Sequence, residues 1–331
     1  MNRQAVFGGL LTLSLAAMPG VSEGRQEPPA TSSTSRPPTE IPLARLKPDA
    51  VLALPFEPGA AASGDAVWVP SPSGGAIIRL DSKSNTMGAP IAVGAEPCAS
   101  LAVAFESVWV PLCGDRAIAR VDMKEPTVKA TAKLAVSSGE GRIATAAGSL
   151  WAVTDRKGVL TRIDPETGGA VAEVFVAAGA MSVEATKDAL WVTSQDAGRL
   201  TRINPYNTEV EDSVAVGQRP GRVAIGEGGV WVLNGDGTVA RVDPKTNKVV
   251  NTITIGGDTA GGDIAAGSGS VWVSLRGAPV VRIDPRSNRA VQRFTGEGGG
   301  AILVAHGSLW VAAGPRVTWR LDPRLVETVR P

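Results

Sequence analysis

A tryptophan between apolar residues recurs seven times along this chain, and no other feature constrains the fold as strongly. About ten residues after each tryptophan comes a second signature, an arginine followed by an aliphatic residue and then Asp or Asn. Neighbouring copies lie about 40 residues apart, which indicates a repeat architecture. The tryptophans are Trp68, Trp109, Trp151, Trp191, Trp231, Trp272 and Trp310, and the arginines are Arg79, Arg120, Arg162, Arg202, Arg241, Arg282 and Arg320.

Each repeat has room for four short strands, named A to D from the centre of the ring outward. Four-stranded repeats of about 40 residues are typical of propeller blades. Two-residue turns with glycine second, such as Ala147-Gly148, join strand A to strand B. Asp-Pro turns, such as Asp243 to Asn247, follow strand C. The sequence therefore predicts an all-β fold, a seven-bladed β-propeller of four-stranded antiparallel blades, over residues 42–331.

The repeated residues are interpreted as structural. A tryptophan that is needed once per blade is typical of packing between blades. The repeated Arg and Asp lie two positions apart on strand C and hence on one face, where we expect them to form hydrogen bonds between strands or blades. A binding site needs residues that break the sevenfold pattern.

The N-terminus differs from the repeats. Residues 1–22 contain Arg3 and then an apolar stretch too short to span a bilayer, which is the pattern of a signal peptide. Residues 23–41 are rich in Pro, Ser and Thr and are predicted to be a flexible tether. We expect a mature monomer that begins between residues 20 and 26, is periplasmic or secreted, and does not insert into a membrane.

Charge balance narrows the class of partner. The chain has 33 Lys and Arg residues against 32 Asp and Glu residues. A protein that binds nucleic acid or an anionic membrane surface carries an excess of basic residues. Neither partner is therefore predicted.

Two segments compete for the outermost strand of blade seven. Residues Arg45 to Pro48 followed by Val51 to Leu54 have the pattern of a truncated strand C and a strand D, so the N-terminal segment could close the ring. Residues Leu325 to Val329 could fill the same position. The sequence does not decide between them.

The tryptophan and Arg-Ile-Asp-Pro repeats resemble those of exported YVTN-type propellers and of the streptogramin (virginiamycin B) lyase-like group, over about residues 42–330. The resemblance implies a lyase that opens a cyclic depsipeptide with a magnesium ion and a cluster of His and Glu residues. This chain has one histidine, His306, in an A to B turn that should be exposed. No residue matches the catalytic histidines, so we predict no catalytic residue, no metal site and no cofactor, and we expect His306 to be dispensable.

The two cysteines are predicted to form a disulfide within blade two. If Phe105-Glu106 is the two-residue turn of the hairpin, residues on strands A and B face each other when their numbers add up to 211. The numbers of Cys98 and Cys113 add up to 211, so the two cysteines are predicted to face each other. Opposed residues of an antiparallel pair lie within the range that a disulfide spans. Export would provide the oxidising environment. A bulge before strand A would shift this register.

The predicted site lies on the face formed by the D to A and B to C connections. Nine residues before each tryptophan, where strand A starts near the axis, the sequence stops repeating. Arg142 and Arg222 there offer forked donors to a carboxylate or phosphate, and Asp263 could hold Arg222 or contact the ligand. Alternatively, these residues solvate the mouth of a water-filled channel. The predicted ligand-binding residues are Arg142, Arg222, Asp263, Ser182, Asp155, Gln195, Asn234 and Arg276.

Two functions fit this pattern. The first is a binding or scaffold propeller for a small ligand, peptide, saccharide or envelope protein. The second is an enzyme, either a metal-assisted lyase or hydrolase or a quinone-linked oxidoreductase. A dense carboxylate cluster would favour metal chemistry, whereas scattered Arg, Asn and Gln favour recognition. The sequence contains the scattered pattern, which favours binding.

Overall fold

Hydrogen bonds between neighbouring strands divide the chain into seven sheets of four or five strands. A computed structural model describes residues 38–98, 100–137 and 142–330. The predicted signal peptide and the predicted tether up to residue 37 lie outside the described residues. Within each sheet the strands that follow one another in sequence pair antiparallel, so each sheet is one blade. The prediction of a seven-bladed β-propeller is confirmed.

The strands are numbered in chain order and assigned to blades. Blade one comprises β3 (Ala61–Ser63), β4 (Ala66–Ser71), β5 (Ala76–Asp81) and β6 (Ile91–Ala92), and blade two comprises β7 (Ala102–Ala104), β8 (Ser107–Leu112), β9 (Ala117–Asp122) and β10 (Val128–Ala132). Blade three comprises β11 (Ile143–Ala146), β12 (Ser149–Asp155), β13 (Val159–Ile163) and β14 (Ala170–Phe175), and blade four comprises β15 (Ala180–Ala185), β16 (Leu190–Ser194), β17 (Arg199–Ile203) and β18 (Val210–Ala215).

The last three blades and the elements outside the repeat complete the architecture. Blade five comprises β19 (Pro220–Gly226), β20 (Gly229–Asn234), β21 (Thr238–Asp243) and β22 (Lys248–Thr254), and blade six comprises β23 (Asp263–Gly267), β24 (Ser270–Leu275), β25 (Ala278–Asp284) and β26 (Arg289–Thr295). Blade seven contains β27 (Ile302–Ala305), β28 (Ser308–Gly314) and β29 (Val317–Leu321). Outside the repeat lie β1 (Glu40–Pro42), β2 (Ala50–Leu52), the single-turn 3-10 helices Leu43–Arg45 and Pro72–Gly74, and helix α1 (Pro323–Thr328). None of the described helices is long and apolar enough to cross a membrane.

Turn chemistry places the blade junctions as the sequence indicated. In blades two, three, five, six and seven both residues of the A to B turn have positive φ, for example 50° at Glu227 and 73° at Gly228, which is the primed conformation that matches strand twist. At the end of the Asp-Pro turns, Asn247 and Asn288 adopt φ of 55° and 53°. Asparagine tolerates this left-handed region better than most residues do.

Each repeated tryptophan packs into the interface with the next blade. Trp231 of blade five forms one cluster with Ile264, Val271 and Val273 of blade six. Trp310 of blade seven does the same with blade one and so closes the ring. Six of the seven repeated tryptophans rank among the largest fully buried side chains, and burying such a ring contributes several kcal/mol of hydrophobic free energy. The interpretation of the tryptophans as packing between blades is confirmed.

In five blades the repeated arginine of strand C covers the tryptophan, and in four blades it reaches the next blade. Arg241 lies opposite Trp231 on the neighbouring strand, with its guanidinium 4.9 Å from the ring centroid. Its Nη1 donates to the Pro285 carbonyl and to Asn288 Oδ1 of blade six, both at 2.7 Å. Arg320 makes the same kind of contact from blade seven to Asn85 of blade one. Four of the repeated arginines, Arg120, Arg202, Arg241 and Arg320, bond to the next blade. Arg79 and Arg162 instead bond between strands of their own blades, and both kinds of bond agree with the prediction of hydrogen bonds between strands or blades.

The repeated aspartate has a different role from the one that the strand pattern suggested. Asp243 Oδ1 accepts the backbone N–H of Lys245, 2.8 Å away, within its own C to D turn. Asp164 and Asp284 cap their turns in the same way. Asp at the first position of a turn bonds the backbone two residues on. The aspartates therefore fix turns within a blade and do not join one blade to another.

The N-terminal segment closes the ring. Strand β2 pairs antiparallel with β29 as the outermost strand of blade seven. Strand β1 pairs parallel with β26 and adds a fifth strand to blade six, where Ile41 is buried. The propeller therefore begins at Glu40, two residues before the predicted boundary, and the tether interpretation does not hold for residues 40 and 41. Residues Leu43–Arg45 form a 3-10 helix rather than part of a strand C.

The C-terminal segment forms a helix and leaves the outer strand position of blade seven to β2. Asp322 caps helix α1 by accepting the backbone N–H of Arg324. The helix packs on blade six, because Gln292 Nε2 donates to the Val326 carbonyl at 2.9 Å and Arg282 pairs with Glu327 at 3.0 Å.

The substitution Arg241→Met tests the bond between blades. Met keeps an apolar stem against Trp231 but removes the bonds to blade six, so we expect the free energy of unfolding to fall by about 2 kcal/mol. Urea denaturation followed by tryptophan fluorescence measures the change. The control is Arg289→Met at an exposed position, where we expect under about 0.5 kcal/mol. Equal stabilities of the two variants would contradict the role of Arg241.

The aspartate turn caps predict acid sensitivity. Backbone N–H groups, those of Ser84, Glu125 and Lys245 respectively, are the first cause that lowers the pKa of Asp81, Asp122 and Asp243 in the folded chain. Unfolded Asp titrates near about pH 4. The stabilisation is therefore present above about pH 4 and is lost as the pH falls through the lowered pKa values.

We expect the melting temperature of the triple variant D81N/D122N/D243N to depend less steeply on pH between about pH 5 and pH 2.5 than that of the original chain. Asn keeps the acceptor oxygen but does not titrate. Differential scanning calorimetry across this range makes the measurement, with Asp188→Asn on an A to B turn as the control. Parallel curves for the original chain and the triple variant would refute the assignment.

Candidate functional site

A cavity opens on the face that the sequence predicted. Its volume is about 870 Å³ and its walls come from D to A and B to C connections. Glu57 lies on the connection into blade one, Glu96 between blades one and two, Arg219 between blades four and five, and Asp258 between blades five and six. We call this the upper cavity. Its size is in the range typical of small-molecule sites.

Three of the eight predicted ligand-binding residues line the upper cavity: Arg222, Gln195 and Asn234. Arg222 starts near the axis on β19 and is buried, with 4% of its surface exposed. The other five, Arg142, Asp263, Ser182, Asp155 and Arg276, do not line the cavity. The structure therefore divides the predicted set into two groups.

Arg142 reaches across the axis of the ring. Its Nη2 lies 2.6 Å from Asp263 Oδ1, which joins blade three to blade six, and its Nη1 lies 2.7 Å from Glu184 Oε1 of blade four. Nη2 also donates to the Ile264 carbonyl. Arg222 Nε lies 3.9 Å from the same Asp263 oxygen. Asp263 therefore joins the two predicted arginines.

Four side chains form a charge-balanced cluster, which we call the axial cluster: Arg142, Glu184, Arg222 and Asp263. Arg222 and Asp263 are buried, and Arg142 and Glu184 are partly buried. Burial opposes the charge of Arg142, but the carboxylates of Asp263 and then Glu184 outweigh it and raise the pKa of Arg142 above its ordinary value. Asp263 Oδ2 also accepts the N–H of Ile302 in blade seven at 3.3 Å. Buried charges are tolerated when they are paired and hydrogen-bonded in this way.

A second, smaller cavity lies along the axial strands. Its volume is about 230 Å³ and it is lined by strand A residues of blades one to four, with Arg142 and Glu184 among them. The two cavities have no lining residue in common. Asp263 contacts one arginine from each lining, so the axial cluster lies between them. Arg142 thus forms ion pairs that connect blades three, four and six across the channel. Because it lines the smaller cavity and not the upper cavity, its position does not fit the predicted contact with a ligand at the upper face.

The remaining predicted residues serve their own loops. Asp155 Oδ1 accepts the N–H of Lys157 and fixes the B to C turn. Asn234 is fully buried and donates to the Val216 carbonyl and to Thr238. Ser182 is also fully buried, and Arg276 is exposed outside the cavity. Gln195 Oε1 accepts a bond from Arg156 at the cavity wall.

Sequence reasoning missed Glu184, although a signal for it exists. The residue opposite the tryptophan on strand A is Glu184 in blade four, whereas the equivalent positions hold Ala61, Ala102, Ala144, Ala224, Ala265 and Leu303. Glu184 breaks the pattern on the same axial face as Arg142. Comparing this position between blades as well would have found it. The charged loop residues Glu57, Glu96, Arg219 and Asp258 have no such register, because their loops differ between blades.

The cysteine prediction is confirmed, with a correction to its register. Cys98 and Cys113 form a disulfide with their Cα atoms 5.8 Å apart. Residues Ala102 to Ala104 pair as predicted, but an irregularity before them sets Pro97 opposite Leu112. The two cysteines are therefore diagonal rather than directly opposed. Both line the upper cavity.

His306 lies in the exposed A to B turn of blade seven, as predicted. Its Nε2 lies 3.2 Å from the Ala66 carbonyl of blade one. Within the ranges that the structure describes, no three His, Cys, Asp or Glu residues form a group that could hold a metal ion.

Comparison with known proteins gives the fold. No family model matches the chain, and no curated protein matches it. A streptogramin B lyase is similar in structure, with a TM-score of 0.64 and 17% identity over 81% of this chain and 93% of its own. A catalytically inactive virginiamycin B lyase from Staphylococcus aureus with quinupristin gives a TM-score of 0.65 and 15% identity over 80% and 94%.

BamB from Moraxella catarrhalis gives a TM-score of 0.62 and 14% identity over 81% of this chain and 84% of its own. The chain has the propeller fold of these proteins. Streptogramin B lyase and other propellers are its structural neighbours, and at these identities the likeness extends to the fold alone. The propeller's function has to be argued from its own side chains.

The axial cluster generates a stability prediction. Replacing Arg142 with Met leaves Asp263, whose side chain is 2% exposed, without its closest partner. Removing one member of a buried pair costs about 3–5 kcal/mol, measurable by urea denaturation. The matched control is Arg324→Met, which removes an exposed ion pair with Asp322 at 2.8 Å and should cost under about 1 kcal/mol. A loss no larger than the control's would contradict the assignment.

Proposed function

We propose that this chain is an exported binding propeller that holds a ligand or a partner protein in the upper cavity. The observation that carries the proposal is the cavity itself, about 870 Å³ in volume and formed by the connections of several blades. Loops positioned by a rigid scaffold are the common location of binding residues. The balanced axial cluster beneath gives this cavity a fixed floor.

The mixed lining favours recognition over catalysis. The wall contains Arg156, Arg219 and Arg222, the amides of Gln195 and Asn234, and apolar Met181 and Leu233. Convergent polar groups beside apolar side chains orient a ligand and give specificity. A disulfide at the cavity wall supports export, because such bonds persist in oxidising compartments.

Filling the cavity tests this function. Gly221 lines the upper cavity, and a Cβ built there would come no closer than 3.5 Å to its nearest neighbour, the Leu233 carbonyl oxygen. The substitution Gly221→Phe should therefore occupy the cavity without backbone strain. The control is Gly169→Phe, at an exposed C to D turn away from the cavity.

The secreted protein is screened by thermal shift against oligosaccharides, peptides, divalent metals and a quinone cofactor. A ligand that binds only the folded state raises the melting temperature. We expect at least one hit, an affinity at least tenfold weaker in the Gly221→Phe variant, and no change in the Gly169→Phe variant. Hits that are insensitive to Gly221→Phe, or turnover of quinupristin with magnesium, would overturn the proposal in favour of another site or of an enzyme.

A further inference from the structure

Two acidic and two basic side chains of the upper cavity lie on different sides of the ring. Glu57 and Glu96 lie on the connections into blades one and two, whereas Arg156 belongs to blade three and Arg219 to the connection into blade five. In a ring of seven equal blades, the point opposite the junction of blades one and two is blade five. Glu96 therefore lies across the cavity from the side that carries Arg219.

These four charged side chains at the rim of the upper cavity form no ion pairs with the described residues of the protein. Among the described residues, none of Glu57, Glu96, Arg156 and Arg219 pairs with an oppositely charged side chain. The guanidinium of Arg156 bonds only to the neutral amide of Gln195. The axial cluster below, by contrast, holds two guanidiniums against two carboxylates. The upper rim is therefore where a charged ligand would find partners.

Glu96 and Arg219 are held by matching backbone arrangements. Both have left-handed backbones, with φ of 52° and 50°, which residues other than glycine adopt rarely. The Glu96 carbonyl accepts the N–H of Cys113 at 3.0 Å, and the Arg219 carbonyl accepts the N–H of Gly235 at 3.1 Å. Each D to A connection is thus fixed to the B to C connection of its blade. Such strain persists where surrounding contacts over-determine it, and it is enriched at ligand sites.

The blade five part of the cavity wall, next to Arg219, has buried polar atoms without hydrogen-bond partners. Asn234 and Thr259 line the upper cavity and are at least nine-tenths buried. Asn234 Oδ1 and Thr259 Oγ1 have no hydrogen-bond partner among the described residues. A buried polar atom without a partner costs free energy that a ligand's own polar groups recover on binding. Asp258, on the basic side, has an oxygen engaged by the N–H of Ala260.

We propose that the upper cavity binds a short linear peptide with free termini. The peptide's ammonium group pairs with Glu57 and Glu96, its carboxylate pairs with Arg156 and Arg219, and its amides bond to Asn234 and Thr259. Arginine forks suit a carboxylate geometrically. This inference rests on the proposed function and specifies the class of ligand.

The experiment uses pools of tetrapeptides built from uncharged residues, prepared in four forms: free termini, N-acetylated, C-amidated and blocked at both ends. Thermal shift of the secreted protein reports binding. We expect the free-termini pool to bind, each single block to weaken binding at least tenfold, and the doubly blocked pool to give no shift.

Charge-neutral variants assign the two ends. E57Q/E96Q should lose the preference for free over N-acetylated peptides and keep the preference for free over amidated ones. R156Q/R219Q should do the reverse. The controls are Glu166→Gln and Lys187→Gln, which are exposed at turns of the opposite face and should change neither preference.

Equal binding of all four pools, or end preferences unchanged in both double variants, would overturn the peptide inference. If no peptide pool binds while another ligand binds in a manner sensitive to Gly221→Phe, the peptide inference fails and the proposed function stands. If no ligand of any class depends on Gly221, both fail.

Discussion

The interface between consecutive blades is the contact on which the rest of this protein depends. A blade alone has two apolar faces and cannot bury them, so stability comes from stacking each face on a neighbour. Trp231 fills the space between blades five and six, and Arg241 covers its ring and bonds across to blade six. Because a tryptophan packs in the same way at each of the seven junctions, the blades repeat around the ring, and that repetition fixes where the axial strands lie.

The axial strands bring charged side chains from distant parts of the sequence into one buried place. Arg142 and Asp263 are 121 residues apart in sequence and 2.6 Å apart in space. A channel lined only by the small residues of strand A would admit water along its length. The axial cluster instead lies between the upper cavity and the smaller cavity along the axial strands, which have no lining residue in common. A polar network of this kind is favourable only when its members are mutually satisfied.

The sequence predicts the structural elements that repeat in each blade, but it does not predict which side chains from distant blades come into contact across the ring. Tryptophan spacing, glycine turns and Asp-Pro turns are local and recur seven times, so the number of blades and the position of each junction follow from them. The same reasoning identified Arg142, Arg222 and Asp263 as exceptions, but it could not tell that Asp263 binds Arg142 from three blades away. The irregularity that moves Cys98 off register has counterparts at Ala180 in blade four and Pro220 in blade five. A register counted outward from the A to B turn alone does not reveal such a bulge. Strand β2 and the C-terminal segment could each occupy the outermost strand position of blade seven. Which one does so depends on how well each packs in the folded ring, and the sequence pattern of a single segment does not show this.

Closure of the ring by strand β2 has a consequence for how the chain folds. Blade seven is completed by residues from both ends, and the bond from Thr318 Oγ1 to the Leu54 carbonyl spans 264 residues. Neighbouring blades can assemble from short-range hairpins as the chain lengthens, but this last contact has to wait until the whole chain is present. Contacts of such sequence separation form slowly because loop-closure entropy is lost before they stabilise anything. Until then the edge of β29 is an unpaired strand, and in a crowded compartment the molecule's own N-terminus must reach it before a strand from another chain does.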